Sequence, residues 1–176
     1  DRLVEREPSV ASVRRAVKLL DALTPYLPAG LLPRLANVTQ TLGLEGEHRS
    51  AAVLFANVLG LGEMADRLGP GHEDEIVAAL NDYYAAMSDG IRCFGGAVNK
   101  IDLYDRGDKL LAFFGAPTTH EEDAERAVRS ALAMQAALEG PPRLTGITHR
   151  IGITFGYVFA GYLGTRWRHE YTVMGD

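Results

Sequence analysis

Two long stretches of helical periodicity, set among short β-like runs, limit what this chain can fold into more than any other feature. From Asp74 to Phe94, Ile76, Leu80, Tyr83, Tyr84, Met87 and Ile91 fall on one helical face, and a second periodic stretch runs from His120 to Leu138. Gly95-Gly96 ends the first helix. Between the helices, Ala97–Leu103 and Lys109–Phe114 read as strands around the polar turn Tyr104-Asp105-Arg106-Gly107, a hairpin signal, and Pro117 closes it. Upstream, the apolar run Ala51–Ala56 leads through Asn57 to Gly62 into a helical pattern from Glu63, which breaks at Gly69-Pro70-Gly71. Downstream of Pro141-Pro142, His149–Phe155 and Tyr157–Leu163 read as two strands joined at Gly156, and Glu170–Met174 as a last one. The order β-α-β-β-α-β with extra strands predicts an α+β domain, two helices on one face of a mainly antiparallel sheet.

Residues 1–48 read as a helical appendage or linker, and residues 49–176 as the domain proper. In the appendage, Ser9 is an N-cap candidate, and Val10, Val13, Val17, Leu20 and Leu23 make an apolar stripe before Pro25, Pro28 and Pro33 interrupt it. Such a helix either packs on its own domain, the reading favoured here, or links to a signal or a dimer contact. Gly43 to His48 is a polar, glycine-punctuated joint.

Composition excludes several classes of function. A net charge of −5 leaves no basic stripe for nucleic acid. The single cysteine, Cys93, excludes an internal disulfide framework and fits a reducing, cytoplasmic setting. No apolar run approaches the about 20 residues that span a bilayer. The chain opens at Asp1 without Met and stops at Asp176 directly after a strand-like run, so both ends read as cuts in a longer sequence.

Chemistry is expected where strands meet turns. The strand–helix turn from Asn57 to Gly62 holds Gly60 and Gly62, which would let backbone N–H groups approach a triphosphate. If Asn57 and Asp108 lie on neighbouring strands, their side chains meet beside that turn. Two carboxylates there would hold two Mg²⁺ ions, but position 57 is neutral. On spacing alone the ordinary reading prevails, with Asn57 a turn-former and Asp108 a solvated carboxylate beside Lys109 or Arg106. The five histidines show no metal-ligand spacing and read as surface or cap residues. Cys93 reads as core. Trp167 reads equally as an exposed interface anchor or as rim packing.

Five motifs appear in order: Leu54-Phe55-Ala56-Asn57-Val58, Gly107 to Pro117, His120 to Ala127, Arg150-Ile151-Gly152-Ile153 and Glu170-Tyr171-Thr172-Val173-Met174-Gly175-Asp176. Together they resemble the class III adenylyl/guanylyl cyclase catalytic domain over about residues 49–176. The resemblance implies a ferredoxin-like βαββαβ cyclase fold. It also implies a dimeric enzyme that uses Mg²⁺ or Mn²⁺ to convert a nucleoside triphosphate to a cyclic monophosphate and pyrophosphate, the ribose 3′-hydroxyl attacking the α-phosphate. Asp108 matches the second metal aspartate, while Asn57 occupies the place of the first. Thr172 falls where the family reads adenine, which favours ATP over GTP. The family's purine-reading lysine sits four residues before the second aspartate. Tyr104 holds that place here, and Lys100 lies four residues further back. The family's transition-state asparagine and arginine follow just after the Gly-Asp that ends this sequence, so no catalytic residue of that pair is in view.

The departures are themselves patterned. Asn99 to Gly107 and Arg168 to Val173 are closest, within the family, to the second, metal-poor half of the bicarbonate-responsive soluble adenylyl cyclase of mammals. The expected function is therefore an adenylyl-type cyclase domain that contributes one half of a two-metal site shared with a second cyclase domain, and is weak or inactive alone. The alternative is a catalytically silent cyclase-like dimerisation or regulatory module.

Overall fold

The computed structural model describes residues 9–26, 46–102, 109–165 and 168–175. Five antiparallel strands, β1 (Glu47–Leu59), β2 (Ala97–Asp102), β3 (Lys109–Phe114), β4 (Thr148–Thr165) and β5 (Arg168–Met174), form one sheet in the order β2-β3-β1-β4-β5. The helices are α1 (Val10–Leu23), α2 (Leu61–Leu68), α3 (Glu73–Cys93) and α4 (Asp123–Ala137). The expected α+β arrangement holds: α3 and α4 pack against each other and against one face of the sheet.

Alternation along the strands builds the two faces. Ala52, Leu54, Ala56 and Val58 of β1, with Leu110, Ala112 and Phe114 of β3, meet Tyr83, Met87 and Ile91 of α3 and Ala127 and Met134 of α4 in the main core. Residues 83, 87 and 91 recur at one helical spacing, so all three point inward and are buried. The other face carries a smaller cluster, in which Val53, Leu111 and Phe113 are covered by Ala160 and Tyr171. The β4–β5 hairpin therefore folds over the side that the helices leave open.

Local chemistry sets the element ends. Gly95 takes φ +77, its N–H bonding to the Arg92 carbonyl while Gly96 N–H bonds to Ile91, a two-bond C-terminal cap of α3. At α4, the Asp123 carboxylate accepts from the His120 backbone N–H (2.8 Å) and lies 3.1 Å from its ring.

Two expectations are corrected. The two strands expected on either side of Gly156 are one continuous strand, because Gly156 stays in register opposite Ala51 and the pairing to β1 runs unbroken from Thr148 to Ala160. Nor does α1 pack on the domain among the described residues: Ser9 caps it as expected, but no residue of it is buried, and Val10, Val13, Val17, Leu20 and Leu23 are all exposed.

Candidate functional site

Asn57 sits mid-row across three strands. It pairs with Lys109 of β3 on one side and with Arg150 of β4 on the other. Direct antiparallel partners share a face, with Cβ atoms about 5 Å apart. Since Ala56, Leu110 and Ile151 belong to the helix-side core, Asn57, Lys109 and Arg150 project from the opposite face. The Asn57 Oδ1 atom is buried and has no hydrogen-bond partner. Asp108, the other expected metal residue, lies outside the described residues.

A lone amide oxygen is a suitable ligand type for a hard divalent cation. Among the described residues, however, no three His, Cys, Asp or Glu side chains gather where they could hold a metal. The register neighbours of Asn57 are both cationic. The described residues thus offer one neutral donor between two positive charges, and by themselves they do not make a divalent-cation site. Arg150 was not singled out from the sequence, because only the register shows that it faces position 57.

Gly60 enters the turn with φ +97 and forms the N-cap of α2, where its carbonyl accepts from Met64 N–H (3.0 Å). A Cβ there would overlap the Gly146 carbonyl oxygen, whereas one at Gly62 would meet nothing within 4 Å. Glycine at position 60 is therefore demanded by the close passage of the loop before β4.

Lys100 and Thr172 come together in a cleft of about 560 Å³, lined also by Leu163, Gly164, Thr165 and Glu170. A bulge between Val98 and Lys100 brings this about. Val98 pairs with Ala112 of the helix-side core, but Lys100 pairs with Leu111 of the opposite face. The extra residue at Asn99 thus turns Lys100 away from the helices. The folded-over β5 then brings Glu170 within 3.6 Å of the Lys100 ammonium, with Asp102 at 3.7 Å. In the sequence Glu170 only opens the last strand and motif; its approach to Lys100 depends on the fold of β5 and on the bulge at Asn99, which leaves no clear sequence signal. A second cleft of about 290 Å³, lined by Arg92, Gly95, Pro117 and His120 among others, opens at the far end of the β2–β3 pair.

Two side chains depart from expectation. Cys93 is exposed, because it lies two positions beyond Ile91 and off the buried face of α3. His149 is buried, its ring 3.4 Å from the Tyr83 hydroxyl of α3 and 3.1 Å from Gln135 Oε1 of α4. Burial holds its pKa below the ordinary imidazole value.

The family model for the adenylate and guanylate cyclase catalytic domain matches residues 45–176. The chain belongs to that family. An uncharacterized protein of Mycobacterium tuberculosis is 36% identical over 135 residues, covering 76% of this chain and 22% of the relative. The chain thus spans less than a quarter of the length of such curated relatives. Among solved structures, the guanylyl cyclase Cya2 is 34% identical with a TM-score of 0.60, covering 74% of this chain and 66% of that one. The adenylyl cyclase CyaB from P. aeruginosa is 28% identical, also with a TM-score of 0.60, covering 75% and 68% respectively. This is a class III nucleotide cyclase catalytic domain, of a family that uses divalent metal ions. Among the described residues no helix is long and apolar enough to cross a membrane.

Proposed function

We propose that this cyclase domain is adenylyl-type, converts ATP to cyclic AMP and pyrophosphate, and supplies the metal-poor half of a site shared with a second cyclase domain. The observation that carries the reading is Asn57, whose unpartnered oxygen stands between Lys109 and Arg150 where the family has a carboxylate. A partner domain with both aspartates would contribute the missing charge, as in the two unequal halves of the bicarbonate-responsive enzyme that the sequence resembles. Residues 1–48 would then serve as a linker, and the setting would be cytoplasmic.

Within this half, Lys100 and Thr172 would hold the adenine, the ammonium donating to a ring nitrogen and the hydroxyl accepting from the amino group. Backbone N–H groups at Gly60 and the start of α2 would face the triphosphate. Asn57 and Asp108 would lie beside the phosphates. A divalent cation held mainly by the partner would supply neutralisation of phosphate charge.

The test is cyclase activity with ATP and Mn²⁺, measured for the chain alone and mixed with a domain carrying both aspartates. Little product alone and much in the mixture supports the reading; no product in either, with the fold intact, sinks it. The neutral Asn57 also favours a second reading, a silent dimerisation or regulatory module. Asn57→Asp separates the two, since an eroded enzyme regains Mn²⁺-dependent activity and a silent module does not.

A further inference from the structure

We propose that the second cleft, between Arg92 and His120, binds a phosphate group, free or carried by a small molecule, at a place separate from the nucleotide site. The cleft stands beyond Phe114, at the opposite end of β3 from Lys109 and Asn57, roughly 17 Å along the strand. The inference does not depend on the nucleotide-binding reading above.

At about 290 Å³ the cleft is at the small end of ligand sites, and no acidic side chain lines it. Its ionisable lining groups are Arg92 and His120, and Thr118 adds a hydroxyl. Among the described residues the Arg92 guanidinium has no hydrogen-bond or ion-pair partner. The buried Asp123 carboxylate is turned to His120, accepting from its backbone N–H (2.8 Å) and lying 3.1 Å from Nδ1. That contact puts the ring hydrogen on Nδ1 and leaves Nε2 for a ligand. Arg126 stands close by: its Nη1 and the His120 Nε2 each lie 3.4 Å from the point that a Cβ on Gly95 would occupy. Arg126 Nε is buried without a hydrogen bond, with the Glu122 carboxylate 3.6 Å away. The carbonyls at the end of α3, which would repel an anion, are occupied. Ile91 and Arg92 accept from Gly96 and Gly95, and Phe94 accepts from Arg126.

Phosphate matches this set of groups better than a carboxylate does. The guanidinium fork can donate to two oxygens of either anion. At Nε2 the two anions part. A neutral ring offers a lone pair there, and a charged ring offers a hydrogen. A phosphate, which loses its second proton near pH 6, suits both forms. Its hydroxyl donates to the neutral ring, and its dianion accepts from the charged one. A carboxylate at neutral pH can only accept. One proton is thus shared between imidazole and phosphate, and no other bond is made or broken.

The experiment titrates the chain with inorganic phosphate, glycerol 3-phosphate and acetate at constant ionic strength, and follows backbone amide signals by NMR. The signals of Gly95, Gly96, Ala97 and Thr118 are expected to move along one saturating curve with phosphate or its ester. Saturation by both probes means that the free group suffices, and saturation by the ester alone assigns a small phosphomonoester. Arg92→Gln should weaken that binding by about tenfold or more, as loss of a charged hydrogen-bond donor does. Arg129→Gln removes the same charge from an exposed place on α4 and should leave the affinity within about twofold. Acetate should bind at least about tenfold more weakly than phosphate. Equal weakening by the two arginine variants means diffuse attraction and overturns the site, and so does binding that survives Arg92→Gln. Acetate binding as tight as phosphate overturns the choice of ligand. Shifts confined to Gly60 and the strand around Arg150 place the anion in the nucleotide site and overturn this inference alone. No saturation with either phosphate probe by about 20 mM overturns it as well.

Discussion

Asn57 and Arg150 are direct cross-strand partners on the open face of the sheet, with Lys109 flanking Asn57 on its other side. A carboxylate at position 57 would face two cations, and a neutral amide leaves its Oδ1 buried and unpartnered. Asn57→Asp is therefore expected to leave stability unchanged or raise it slightly. Unit charges about 4 Å apart at an effective dielectric of about 20 interact by ~4 kcal/mol, roughly a thousandfold in an equilibrium or a rate. Mn²⁺ affinity in calorimetric titration should rise by between about tenfold and that limit. An unchanged affinity would remove Asn57 as the cause of a weak metal site.

Gly60 and Gly62, two residues apart, should respond oppositely to alanine. Gly60→Ala places a Cβ against the Gly146 carbonyl at φ +97, and is expected to cost at least ~2 kcal/mol in urea unfolding. Gly62→Ala meets open space inside α2, and should be neutral or gain up to about 1 kcal/mol.

His149 links stability to pH. Its folded pKa lies below its unfolded value because burial disfavours the charged ring. The unfolded chain therefore binds the proton first. The contribution of His149 is complete above about pH 6.5 and is lost as pH falls from there through the folded pKa. Urea midpoints measured from pH 8 to pH 5 should show that decline, and His149→Asn should remove the part due to this ring. At pH 8 the variant is expected to lose about 1–3 kcal/mol, because Tyr83 and Gln135 would lose their imidazole partner.

The α1 stripe is exposed, so its apolar residues should be dispensable to the domain. Val17→Lys with Leu20→Lys is expected to shift unfolding free energy by no more than about 0.5 kcal/mol. A larger loss would mean that α1 packs on the domain after all.

Much of the fold was legible because its signals are local. The apolar run Lys109–Phe114 coincides with β3, and Tyr83, Met87 and Ile91 declare the inner face of α3 by their spacing. Gly156 misled, because a glycine that looks like a joint is carried through by its pairing to Ala51. His149 reads from the sequence as a surface or cap residue because no local pattern shows that strand alternation aims its ring between Tyr83 and Gln135. Lys100 and Thr172 were singled out by resemblance, while Glu170 was not.

The sequence by itself determined most of the elements, the order in which they come and the neutral residue at position 57, since periodicity, turn chemistry and side-chain charge are properties of neighbouring residues. Only the tertiary structure decided what faces what. A one-residue bulge at Asn99 turned Lys100 to the open face, the register set Arg150 against Asn57, and the fold of β5 brought Glu170 to Lys100. Those relationships depend on pairing between strands far apart in the chain, and a shift of one residue would reverse each of them.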